Sequence, residues 1–189
     1  MKKHILAVAI LGSLSVPALA SGFFVYGDVG QSHFEIDSES DDKTGYSVGA
    51  GYKFNRIFAF ELAYRHLGEW EESINDLELY GGTYYDATID LDASALQASM
   101  TASWPLNDAV NLYARAGIAQ LKVKMDVAVR SGSISASESG SETRNRGVFG
   151  VGLSYDITPS LSLRGEYSQY AKINDLKVST LNLGVAYRF

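Results

Sequence analysis

Five charged residues interrupt stretches that are otherwise apolar or built from small side chains: Glu61 and Arg65 in FELAYRHLG, Arg115 in NLYARAG, and Arg164 and Glu166 in SLSLRGEY. Two acids and three bases in such surroundings can do one of two things. They can neutralise one another as ion pairs that fill an interior, or they can line a narrow polar passage and gate it. Nucleophilic or metal chemistry has far less to work with. There are three histidines, His4, His33 and His66, and no cysteine, which excludes zinc–thiolate, thiol-redox and cysteine-nucleophile chemistry. Neither His33 nor His66 has a serine or aspartate at a spacing that identifies a partner, so both read as surface or interfacial residues. His33-Phe34-Glu35 resembles a fragment of a deaminase signature but lacks its cysteine ligands. Gly49-Ala50-Gly51 and Gly150-Val151-Gly152 are not phosphate loops; they read as small residues beside long ones. No catalytic residue, cofactor site or metal-ligand set is expected.

The elements that must carry the five charges are legible from parity. On a strand, successive side chains face opposite ways. Phe58, Phe60, Leu62, Tyr64 and His66 therefore share one face, and Ala59, Glu61, Ala63 and Arg65 share the other. The same band of about nine residues recurs at Tyr46–Phe54, Leu96–Trp104, Val110–Ile118, Phe149–Ile157, Leu161–Tyr167 and Leu181–Phe189, and the start Phe23, Val25, Val29 makes eight. A bilayer imposes such a ruler, because a tilted transmembrane strand needs about 9 to 11 residues. Glu61, Arg65, Arg115, Arg164 and Glu166 all fall on the face of small and polar residues. That face is the lumen if the apolar face meets lipid.

The amino terminus sets the compartment. Lys2 and Lys3, the apolar run Ile5 to Leu11, Pro17 and Ala18-Leu19-Ala20 make a secretory signal over residues 1–20, with cleavage before Ser21. Residues 21–189 then form one domain of 169 residues, with no Pro-rich linker. The formal charge is −6, and −8 once Lys2 and Lys3 are gone, so nucleic acid is not an expected partner. After Ala20 no apolar run is long enough for a membrane helix.

Connections alternate in length. Asn55-Arg56, Pro105–Asp108 and Thr158-Pro159 are short, whereas Asp37–Thr44, Gly68–Thr88, Arg130–Thr143 and Ala171–Lys177 are long, as expected for periplasmic turns and extracellular loops. Tyr52, Phe54, Phe58, Trp104, Tyr155, Tyr187 and Phe189 gather at the short-turn end as an aromatic girdle. The apolar parity also changes phase along three strands: after Ile118 it passes to Leu121, Val123, Met125, Val127 and Val129, before Leu96 it is carried by Ile89 and Leu91, and after Val29 by Phe34 and Ile36. Above the bilayer the outer side meets water, so the apolar side must turn inward. A small extracellular core, joined by Trp70 and Tyr80, is the expectation; a bulge in each strand is the alternative.

The chain resembles the eight-stranded barrel domain of the outer membrane protein A family and, more distantly, the small barrels of the outer membrane protein X and Ail type. The resemblance rests on Trp104-Pro105-Leu106, NLYARAG (Asn111–Gly117), SYDITPSLSLRGEY (Ser154–Tyr167) and LNLGVAYRF (Leu181–Phe189), with GDVGQS (Gly27–Ser32) and FELAYRHLG (Phe60–Gly68) in the looser first half. It implies a closed, all-β, antiparallel eight-stranded up-and-down transmembrane barrel with a packed polar interior, in which Glu61 and Arg164 match an acidic and basic pair. Thr101 and Ser154 stand where the family's archetype carries an interior lysine and glutamate, so its switchable ion network is not implied here. It also implies that Gly184, Tyr187 and Phe189 form the terminal signal read by the barrel-assembly machinery, after escort by periplasmic chaperones.

Taken together, these readings describe an exported, non-catalytic protein of the Gram-negative outer membrane with a structural and surface-interaction role, in adhesion or envelope integrity. A narrow low-conductance channel is the second reading and a lipid A-modifying enzyme a distant third. The lumen of an eight-stranded barrel is only wide enough for side chains, which favours a plug of Glu61, Arg65, Arg115, Arg164 and Glu166 over a pore. No Lys or Arg occurs from His66 to Ala114, while Glu69, Glu71, Glu72, Asp76, Glu78, Asp86, Asp90 and Asp92 do. This acidic loop is a candidate surface for divalent cations shared with lipopolysaccharide or for a host or phage partner, against the simpler reading of a loop kept soluble by its charge. Arg144 and Arg146 are candidate contacts to lipopolysaccharide phosphates. If parity assigns the faces correctly, Leu183→Arg fails to fold into lipid vesicles whereas Asn182→Arg, on the lumen face, inserts better. The difference between heated and unheated samples on detergent gels reads the outcome.

Overall fold

The computed structural model describes residues 22–36, 39–79, 83–131, 134–173 and 176–189. The expected leader and Tyr80 lie outside the described residues. Eight strands follow one another: β1 (Phe23–Ile36), β2 (Glu39–Lys53), β3 (Phe58–Leu79), β4 (Thr83–Pro105), β5 (Val110–Ser131), β6 (Ile134–Asp156), β7 (Leu161–Ile173) and β8 (Leu176–Arg188). Each pairs antiparallel with its neighbours, and β1 pairs with β8 to close the barrel.

Parity assigns the faces as expected. Leu183 is 68 % exposed, Ile118 69 % and Phe149 62 %, while Glu61, Arg115 and Gln97 on the other face are 3 % exposed or less. This is a soluble protein turned inside out. Lumen glycines take the space that long residues need. A Cβ on Gly49 would sit 2.4 Å from the Tyr26 ring, and one on Gly152 equally close to that of Tyr113.

The short turns share one device. The Asn55 carboxamide oxygen accepts from the backbone of Ile57 and Phe58 at 2.8 Å, that of Asn107 from Ala109 and Val110, and the Thr158 hydroxyl from Ser160 and Leu161. Each side chain satisfies amides that the ladder has not yet claimed. The rings of Tyr52 and Phe54, and of Tyr187 and Phe189, pack edge-on at this end.

At the other end the structure departs from expectation. The segments read as long loops are largely paired strand: β3 continues to Leu79, β4 begins at Thr83, β5 runs to Ser131 and β6 begins at Ile134. Strands of 22 to 23 residues therefore rise from a membrane band of nine. In water both faces of a hairpin can be polar, so pairing continues where the alternating signal has died away.

The change of phase needs no bulge in β1, β4 or β5, whose registers with β2, β5 and β6 run unbroken. Two shifts occur instead in β3: Leu67 is extra between the pairs His66↔Ser94 and Gly68↔Ala93, and a second falls higher up between Ile74 and Leu77. Above the charged lumen, Leu67, Ala95, Leu121, Val148, Tyr170 and Val178 form a buried apolar cluster, with Phe34 and Trp70 packed against it. The Phe34 and Trp70 rings meet edge-on at 4.7 Å, and the Trp70 indole donates to Asp41 at 2.6 Å. The Lys43 ammonium, and then that indole, hold the Asp41 carboxyl below the usual carboxylate range. Val123 and Met125, expected in this core, are 43 % and 46 % exposed. Strands β1, β2, β7 and β8 have 13 to 15 residues, far fewer than the 22 of β5, so among the described residues the opposite wall of the barrel is shorter than β5. Leu121→Ala should therefore cost about 2–5 kcal/mol, and Val123→Ala within about 0.5 kcal/mol of nothing, in urea unfolding of the vesicle-inserted barrel.

Candidate functional site

The five charges meet at one level of the lumen. Parity aims Glu61 and Arg65 inward from β3, Arg115 from β5, and Arg164 and Glu166 from β7. Small residues beside them on neighbouring strands leave room: Arg115 pairs in register with Gly150, Arg164 with Ser154 and Gly184, and Glu166 with Gly152. Arg115 is the hub. Its Nη2 lies 2.7 Å from Glu61 Oε2 and 2.9 Å from Glu166 Oε2, its Nε donates to Glu166 Oε1 at 3.0 Å, and its Nη1 donates to the Ser99 hydroxyl at 2.6 Å. A guanidinium presents several donors in a fixed fork, which suits it to holding two carboxylates at once.

Glu166 is the matching acceptor. It also takes Arg65 at 3.1 Å, the Tyr113 hydroxyl at 3.0 Å and the Ser168 hydroxyl at 2.6 Å. Arg164 stands further off, 3.4 Å from Glu61 and 3.5 Å from Glu166. Its guanidinium instead lies over two rings, 4.3 Å from the centroid of Tyr26 and 5.1 Å from that of Tyr113, a contact that stabilises a cation without a carboxylate. Glu61 and Arg164 are thus brought together, but Arg115 is the tighter partner of Glu61. Tyr26, Ser99 and Tyr113 were not singled out beforehand. Their inward parity was readable; their contacts, made between strands distant in sequence, were not. Thr101 lies 3.5 Å from Glu61. Below the network a cavity of about 50 Å³ is lined by Lys53, Thr101, Ser154, Arg164 and Arg188 among others.

The remaining sequence candidates fall elsewhere. Gly184 faces Asp28 across the closing seam, where a Cβ would lie 2.2 Å from the Gly27 carbonyl oxygen; Tyr187 and Phe189 are partly exposed at the periplasmic rim. Arg144 and Arg146 pair in register with Leu121 and Ala119, so they share the inner side of the sheet with the apolar cluster. Arg144 is ion-paired with Glu142, and Arg146 Nη1 donates to the Asn145 carbonyl. Parity thus places both on the side of the barrel mouth rather than that of the leaflet. Both histidines have the acidic partners that sequence spacing did not show, because each pair forms across strands. His33 Nδ1 lies 2.7 Å from Asp42, and His66 Nδ1 lies 3.3 Å from Asp92.

A closed eight-stranded antiparallel barrel with an apolar outer belt and a charge-filled lumen defines a small integral barrel of the bacterial outer membrane. The chain belongs to the outer membrane protein beta-barrel domain family, whose model matches residues 6–189. It is 28 % identical to the attachment invasion locus protein of Yersinia enterocolitica, over the whole of both chains. It is 25 % identical to outer membrane protein A of Escherichia fergusonii, of which it spans 56 %. Among solved structures it resembles Ail, the attachment invasion locus protein of Yersinia pestis, in complex with the heparin analogue sucrose octasulfate, at a TM-score of 0.60 and 23 % identity, covering 89 % of this chain and 99 % of that one. It also resembles Neisserial surface protein A, at a TM-score of 0.54 and 18 % identity, covering 89 % and 98 %.

Removing the hub should cost more than removing the residue that the resemblance highlights. Arg115→Ala leaves two carboxylates short of a partner and should destabilise the barrel by about 3–5 kcal/mol. Arg164→Ala leaves Glu61 bound to Arg115 and should cost about 1–3 kcal/mol. Urea unfolding in vesicles ranks the two.

Proposed function

We propose that this protein is a non-catalytic attachment or envelope-integrity protein whose barrel anchors an outward-projecting platform. The observation that carries the reading is the disparity in strand length: β3–β6 run 22 to 23 residues where the membrane uses nine. Polypeptide well beyond the bilayer's need is displayed to the outside. The relative of Yersinia enterocolitica is an attachment invasion locus protein, which points the same way. Counting against a channel, the lumen is crossed by the Arg115 network, whose members are buried. Counting against an enzyme, both described histidines are held by carboxylates in exposed or rim positions rather than beside a nucleophile.

On this reading residues 1–20 are the export signal, and Gly184, Tyr187 and Phe189 mark the last strand for the assembly machinery. The partner is a host or phage surface component bearing basic groups, met by the β3–β4 hairpin with Glu69, Glu71, Glu72 and Asp90 exposed on it. Displayed on a non-adherent Gram-negative host, the protein should increase attachment to epithelial cells. Replacing those four acids by their amides should abolish the gain without altering heat-modifiable migration. Steady single-channel conductance together with unchanged attachment would overturn the reading.

A further inference from the structure

The bulge in β3 does more than adjust the register. Along a regular strand, side chains three apart face opposite ways. The extra residue at Leu67 puts His66 and Glu69 on the same, outer face. Glu69 then stands directly across from Asp92 of β4, and the next outward pair up the hairpin, Glu71↔Asp90, is again two acids. Facing like charges destabilise a ladder. Lys124 of β5 is in register with Asp92, but the basic side chain within 4 Å of Asp92, among the described residues, is the His66 imidazole.

The place is also shaped. Gly68 has φ +149°, a conformation that side chains rarely adopt, and a Cβ there would lie 2.4 Å from that of Lys43. The imidazole of His66 is stacked on the Tyr46 ring, centroids 5.0 Å apart and planes 27° from parallel, and is only 11 % exposed. Its Nδ1 lies 3.3 Å from Asp92 Oδ2 and its Nε2 lies 3.8 Å from Glu69 Oε1. One ligand atom from each of the three residues falls within 4.8 Å of the others. Zinc held at about 2.0–2.2 Å by nitrogen and oxygen in a tetrahedron needs edges of roughly 3.4 Å. One ion takes one ring nitrogen, so with the ion on Nδ1 beside Asp92 the Glu69 side chain, 75 % exposed, has to swing round from the Nε2 side to complete the site.

We propose that His66, Glu69 and Asp92 form a surface site for a divalent transition ion such as Zn²⁺, at the level where the β3–β4 hairpin leaves the membrane. One imidazole and two carboxylates are a borderline donor set that favours zinc, nickel or copper over calcium, which takes six to eight oxygens. Three protein ligands leave a fourth position to water. A metal there ties β3 to β4 at the base of the projecting hairpin, on the face opposite the apolar cluster, and offsets the facing acids.

The test is calorimetric titration of the untagged, refolded protein in detergent with Zn²⁺, and with Ca²⁺ in parallel. Saturable one-to-one zinc binding is expected. His66→Gln and Asp92→Asn should weaken it by more than the roughly 10–100-fold lost when a mere supporting partner of a metal site is removed, while His33→Gln and Glu71→Gln leave it unchanged. Folding of each variant is checked by migration with and without heating. The visible absorption of bound Co²⁺ supplies a readout on the unaltered protein, where bands of tetrahedral nitrogen–oxygen coordination are expected. Absence of saturable binding, zinc affinity that survives His66→Gln, calcium bound as tightly as zinc, or octahedral cobalt bands would each overturn the proposal.

Discussion

A backbone amide or carbonyl left unpaired in hydrocarbon costs several kcal/mol, and a strand at an open edge leaves a whole row of them. The pairing of β1 with β8 removes that row, with thirteen residue pairs from Phe24↔Arg188 to Ile36↔Leu176. Everything else about the membrane segment follows from this closure. Eight strands enclose a lumen too narrow for water to solvate charges freely, so any long inward side chain needs a small neighbour and any charge needs a partner. Gly49 beside Tyr26, Gly152 beside Tyr113 and Gly184 at the seam are the first requirement met in sequence. Arg115 between Glu61 and Glu166 is the second.

Three guanidiniums face two carboxylates in that network, and the surplus cation is not left bare. Arg164, whose contacts to the two acids are the longest of the network, lies over the Tyr26 and Tyr113 rings. Ion pairs of this kind contribute little net stability over a well-packed apolar interior, because desolvation offsets their attraction. Their leverage lies in what they forbid. A one-residue slip of β7 would carry Arg164 and Glu166 to the lipid side and Leu163 into the lumen, so the charges hold register more firmly than an apolar filling could.

Parity made the barrel legible because the membrane writes it: lipid demands an apolar residue at every second position, and β8 from Leu181 to Phe189 obeys almost without exception. The five interior charges were legible on the same grounds. What stayed hidden is what parity does not encode. The hub role of Arg115 depends on distances across the lumen between β3, β5 and β7. The hairpins above the bilayer carry no obligatory alternation, so paired strand there looked like loop. Asp92 as the partner of His66, and the orientation of Arg144 and Arg146, required the registers of β3 with β4 and of β5 with β6. The Asn55, Asn107 and Thr158 turns were the exception, a signal present in sequence and readable by its repetition at the three short connections.

The same chain must serve two solvents, and the inner face shows where one gives way to the other. Within the bilayer it is polar, because the outer face has claimed the apolar residues. Above it, from Leu67, Ala95 and Leu121 upward, it becomes apolar, because the outer face now meets water. In β1, β4 and β5 this inversion is achieved by composition alone, with the backbone running on unbroken. In β3 it is achieved by inserting Leu67, which itself joins the buried cluster while the strand beyond it is reset by one position. That choice has a structural consequence composition could not supply: it sets Trp70 inward, opposite Leu91 and against Phe34, and leaves His66 and Glu69 together outside. The joint between the anchored and projecting parts is thus built from a single extra residue, and the two clusters on either side of it, one apolar and one charged, are products of the same step in register.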